Sequence, residues 1–66
     1  SYLHAPMSPA EQSLVLIAED EASIADAIEI YLKSQGYATL KAANGAIAWE
    51  LVQSNPVDLA IVDVMI

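Results

Sequence analysis

The chain has no cysteine. Disulfide staples and thiolate metal sites are therefore excluded, and a reducing compartment such as the cytoplasm fits. Positive charge is nearly absent as well. Lys33 and Lys41 stand against nine acidic residues, for a net charge of −7. Such a surface repels nucleic acid phosphates and suits a cation or a basic partner, so this segment is not expected to bind DNA or RNA. Apolar runs stop after a few residues, so nothing spans a membrane, and no secretory leader pattern is visible. No repeat or low-complexity tract occurs.

What the chain does have is apolar content, 56% of its residues, too much for a disordered segment. Its 66 residues make at most one small domain. A chain this short buries only about 60% of the surface its unfolded form exposes, so its stability is marginal. Residues 1–13 carry Pro6 and Pro9 without a periodic apolar pattern and read as a flexible lead. Met7 is a candidate natural start, with the residues before it left over from cloning. His4, the one histidine, lies in this lead and reads as incidental.

From Leu14 the pattern becomes regular. Leu14 to Ala18 is apolar on both faces, as in a central parallel strand covered on both sides. Ile24, Ala27, Ile28, Tyr31 and Leu32 then share one helical stripe, with Asp26, Glu29 and Lys33 pointing elsewhere. Glu21 and Ser23 lie near the start of that helix, where they complement exposed N–H groups, and Gly36 ends it. Ala38 to Ala42 alternates, with Leu40 facing in and Thr39 and Lys41 facing out. A lysine there suits a sheet edge. Asn44-Gly45 makes a turn that can cap a second helix, about Ala46 to Gln53, with Ile47, Ala48, Leu51 and Val52 as core candidates. Asn55-Pro56 breaks that helix. Leu59 to Val62 is a third strand, again apolar on both faces. Strands alternating with helices predict an α/β fold with a parallel sheet and right-handed crossovers.

Acids follow two of these strands. Glu19 and Asp20 stand at the carboxyl end of the first and Asp63 at that of the third. Ligands of open parallel sheets bind beyond such ends. If the strands are neighbours, three carboxylates converge and raise one another's pKa unless a cation joins them. Mg²⁺ needs only one or two carboxylates plus waters and phosphate oxygens. A carboxylate beside it can attack a phosphoryl group and form an acyl phosphate. Acids also stand at strand ends merely because they meet water and precede helices, which is the preferred account of Glu21. Asp63 is different. It is followed by Val64, Met65 and Ile66 instead of turn residues.

The motifs Val15-Leu-Ile-Ala-Glu-Asp-Glu, Gly36-Tyr37, Ala43-Asn44-Gly45 and Pro56-Val57-Asp58-Leu59-Ala60-Ile61-Val62-Asp63-Val64-Met65 resemble the receiver domain of bacterial two-component response regulators. The likeness covers about Leu14 to Ile66. It implies the N-terminal β-α-β-α-β part of a flavodoxin-like doubly wound parallel sheet, with strand order 2-1-3 for these strands. It implies Mg²⁺ held by Glu19, Asp20, Asp63 and the Met65 backbone carbonyl. It further implies that Asp63 accepts a phosphoryl group from a sensor histidine kinase. A receiver assists its own phosphorylation and is not a dedicated enzyme. The family's Ser or Thr after strand four and its Lys after strand five do not occur in this chain, which implies a truncated form impaired in switching.

Two other readings compete. A phosphatase of the haloacid dehalogenase type wants a second Asp two residues after the first, where Met65 stands. A non-catalytic α/β interaction fragment would self-associate through its third strand, whose Leu59-Ala60-Ile61-Val62 edge carries no charge, proline or glycine.

Overall fold

A computed structural model of the chain describes residues 12–63. The elements run β1 (Leu14–Glu19), α1 (Ala22–Ser34), β2 (Ala38–Ala42), α2 (Gly45–Ser54) and β3 (Leu59–Asp63). The strands form one parallel sheet in the order β2-β1-β3. This is the β-α-β-α-β part of a flavodoxin-like parallel sheet expected from the sequence. His4, Met7 and Met65 lie outside the described residues.

The unbroken apolar run of β1 is explained by its position. The chain leaves β1 toward one side to make β2, then returns past it to make β3. Right-handed crossovers in opposite directions place α1 over one face and α2 over the other. Val15 and Ile17 therefore pack on Ala25 and Leu32 of α1, with Ile28 and Ile61 beside them. Leu16 and Ala18 point to the opposite face. All four β1 residues are 1% exposed or less. Each large one contributes roughly 2 kcal/mol through burial, so β1 is the centre of a small core.

Helix α1 departs from its expected stripe. Ile28 and Leu32 do face the sheet, but Ala25 joins them, while Ile24 and Tyr31 are 41% and 63% exposed. The strands described make a floor too narrow to cover the whole stripe, and the small Ala25 side chain takes the central place. The two faces of β2 also differ from expectation. Thr39 and Lys41 pair in register with Val15 and Ile17 and so lie on the α1 face. Polar partners from α1 cover part of that face: Thr39 is half-buried, while Lys41 stays exposed.

The turns follow their residues. Gly36 adopts φ 92°, a left-handed conformation that side-chain-bearing residues rarely take, and ends α1. The Tyr37 amide donates back to the Leu32 carbonyl at 3.1 Å, closing the helix end. Asn44 Oδ1 accepts from the Ile47 amide at 2.9 Å and caps α2. Asn55 is extended, as a residue before proline should be. At the opposite end of the sheet, the Leu14 amide donates to Asp58 Oδ2 at 2.7 Å, and the Asp58 amide donates to the Leu14 carbonyl at 2.8 Å. This pair fixes where β3 begins beside β1. The register it sets carries through to the strands' carboxyl ends.

Candidate functional site

That register places Glu19 directly opposite Asp63. Backbones of neighbouring strands lie about 4.8 Å apart, so the two carboxyl groups share one end of the sheet. Asp20 follows in the exposed turn between β1 and α1. The residues singled out on the two strands are therefore neighbours in space.

Glu19 is the most constrained of them. It is 5% exposed, the one buried charged residue among those described. Its Oε2 accepts a hydrogen bond from the Glu21 amide at 3.0 Å. Its Oε1 is buried and has no hydrogen-bond partner among the described residues. The Glu21 amide favours the charged carboxylate. Burial, contact with the Asp20 carboxyl, and the charges of Asp63 and Asp20 outweigh it and hold Glu19 above its ordinary pKa. Glu21 itself stands at the N-cap of α1, but its side chain makes no capping bond. Its carbonyl instead accepts from the Ile24 and Ala25 amides, each at 3.1 Å.

An orphaned carboxylate oxygen surrounded by like charge is a donor set that suits a hard cation. Among the described residues, however, no group of three or more His, Cys, Asp or Glu side chains is already arranged as a metal cage. The acids are adjacent, and waters or phosphate oxygens would complete the coordination shell.

Two further features escaped the sequence reading. One is Asp58, whose bonds to Leu14 set the register. The other is a polar network on the α1 face of β2. Lys41 Nζ lies 2.6 Å from Asp26 Oδ1 and 3.2 Å from Glu29 Oε1. Thr39 Oγ1 donates to Glu29 Oε2 at 2.9 Å. The Thr39 hydroxyl, then Lys41, hold the Glu29 carboxyl below its usual range. The signal was present in the spacing: two acids three apart on a helix, and two donors two apart on the adjacent strand. Lys41 also lines a cavity of about 200 Å³ that Glu19 lines from the other side. The lysine is thus closer to the acidic end than its place on an edge strand suggested.

Family comparison identifies the domain. The family model described as "Response regulator receiver domain" matches residues 15–66. The chain belongs to the response regulator receiver family. The receiver is 39% identical over 51 residues to "Response regulator GtcR" of Aneurinibacillus migulanus, covering 77% of this chain and 21% of that protein. It is 40% identical over 52 residues to "Regulatory protein VanR" of Enterococcus faecium, covering 79% of this chain and 22% of that protein. The chain therefore spans about a fifth of the length of these curated relatives. No solved structure gives a significant match. Among the described residues, no helix is long and apolar enough to cross a membrane.

Proposed function

We propose that this receiver works in the cytoplasm and accepts a phosphoryl group on Asp63 from the phosphohistidine of a sensor histidine kinase. Glu19, Asp20, Asp63 and the Met65 carbonyl would hold Mg²⁺. The observation that carries the reading is the pairing of Glu19 with Asp63, together with the buried Glu19 Oε1 that has no hydrogen-bond partner among the described residues. An Asp63 carboxylate oxygen attacks phosphorus as the phosphorus–nitrogen bond to the kinase imidazole breaks. The product is an aspartyl acyl phosphate, and the imidazole leaves with the electron pair of that bond. Mg²⁺, when bound, neutralises charge on the phosphoryl oxygens and on the carboxylates. Burial of Glu19 keeps one carboxylate fixed beside the nucleophile without competing for phosphorus. The protein assists its own modification and does not turn over a substrate.

The test uses beryllofluoride, which stands in for a phosphoryl group on a carboxylate. Fluorine NMR of the chain with Mg²⁺ should show a bound resonance that disappears without Mg²⁺ and in Asp63→Asn. A chain that gives no bound resonance, or one that persists in Asp63→Asn, would contradict the assignment.

A second reading concerns the chain by itself. Leu59 and Val62 of β3 are 57% and 64% exposed, on a strand paired on one side only among the described residues. Such an edge is a template for another chain, and self-association through β3 is the interaction it favours.

A further inference from the structure

We propose that Asp26 and Glu29 act as a clamp that holds the Lys41 ammonium out of the cavity beside Glu19, keeping the acidic pocket open to a cation. The inference rests on the Mg²⁺ reading above for its consequence, but the clamp itself rests on side-chain geometry.

Lys41 and Glu19 lie on the same face of the sheet. Lys41 pairs with Ile17, and Glu19 is two residues further along β1. Strand spacing and rise put their Cα atoms roughly 8 Å apart, a distance that an extended lysine side chain covers. Between them is the cavity of about 200 Å³. Its other walls are Ala22, Ala25, Ala42 and Ala43 with Asp26, so no bulky side chain blocks the path. Glu19 lines the same cavity, and its buried Oε1, which has no hydrogen-bond partner among the described residues, would accept an ammonium hydrogen bond once the side chain turns toward it. Lys41 therefore has a second place to go.

What opposes that move is the α1 face. Asp26 Oδ1 at 2.6 Å and Glu29 Oε1 at 3.2 Å both take the ammonium. Glu29 is itself steadied by the Thr39 hydroxyl at 2.9 Å and by Lys33 at 3.6 Å. The hydrogen bond to Asp26, then that to Glu29, hold the Lys41 pKa above its ordinary value in this position. An ammonium moved onto Glu19 would neutralise one of the carboxylates that a cation needs. Asp26 and Glu29 are thus positioning residues that act through Lys41.

The test compares the wild type, Asp26→Asn, Asp26→Asn with Glu29→Gln, and that double variant with Lys41→Met added. The replacements keep shape, and Asp26 is an exposed position whose change leaves the core untouched. One readout needs no metal: nuclear Overhauser contacts from the Lys41 Hε protons to the Ala22 and Ala25 methyl groups. These should strengthen in the single variant and more so in the double. The other readout is Mg²⁺ affinity by amide-shift titration. It should fall by about fivefold in the double variant, the scale of a surface ion pair, and recover when Lys41→Met is added. Unchanged Overhauser contacts in both clamp variants would overturn the proposal. So would a loss of Mg²⁺ affinity that persists after Lys41→Met. No Mg²⁺ response in the wild type would instead defeat the metal reading, and the Overhauser arm would still decide the clamp.

Discussion

Glu19 shows how one side chain can oppose the fold it belongs to. Its folded pKa lies above its unfolded value because burial and the Asp20 and Asp63 charges outweigh the Glu21 amide. The contribution of a group shifted upward is fully present below its unfolded pKa and is lost as pH rises through its folded one. Glu19→Gln should therefore melt at a higher temperature than wild type at neutral pH, with the gap closing as the solution is made acidic. Thermal unfolding of both proteins across the carboxylate range checks this, and a gap that widens toward acid would refute it. Glu29, shifted the other way by Thr39 and Lys41, stabilises above the ordinary carboxylate range and loses that contribution as pH falls through its depressed value. The place of Asp63 beside Glu19 was legible because an acid after an apolar strand, with no turn residue following, has no simple structural excuse. The orphaned oxygen of Glu19 was not legible, since it depends on how the β1–α1 turn folds its side chain inward. Lys41 looks like an edge guard from sequence because a strand's alternation reports which residues share a face, but not which helix covers that face.

The elements were readable wherever local chemistry alone decides. Asn44 before an apolar periodic run, Gly36 after one, and Asn55-Pro56 at a helix end each have a local reason to stand there. The strands were found to within a residue or so because their apolar runs are short and bounded by turn residues. The stripe of α1 was legible only in part. Periodicity gives the phase of a helix, while the width and tilt of the sheet beneath decide which of Ile24, Ala25 and Tyr31 is covered. In α2 no residue is fully buried: Ala48 and Leu51 are half-covered, and Ile47 and Val52 are each 40% exposed. A helix so lightly packed depends on its cap. Replacing Asn44 with Ala removes the bond to the Ile47 amide and should cost about 1 kcal/mol, read as a lower urea midpoint with an unchanged slope. The far end of α2 has no equivalent anchor in Gln53 or Ser54, whose side chains donate to the Trp49 and Glu50 carbonyls of the same helix.

At the scale of the molecule, the two edges of the sheet differ among the described residues. On β2 the Lys41 ammonium is tied to α1, whereas β3 presents Leu59 and Val62 to solvent. The chain by itself should associate at micromolar concentrations, and Val62→Lys should disperse it. Val62 is the better site for the charge because Ile61 is tucked against the α1 core. Sedimentation of both proteins decides, with a strictly monomeric parent or a fully associated variant as the contrary results. Phosphorylation of the chain by itself should remain low, because Lys41 is held by Asp26 and Glu29 and Lys33 reaches Glu29, leaving neither directed at Asp63. Intact mass after incubation with acetyl phosphate should show only a small phosphorylated fraction, and near-complete modification would contradict that account. The proposed phosphoacceptor function depends on Glu19, Asp20 and Asp63 acting as one cation-dependent site. The most direct test is a Mg²⁺ titration followed through backbone amide shifts. The account predicts saturable shifts at Glu19, Asp20 and Asp63 that are lost in Asp20→Ala. No shifts at about ten millimolar Mg²⁺, well above ordinary weak-site occupancy, or an identical response in Asp20→Ala, would contradict it.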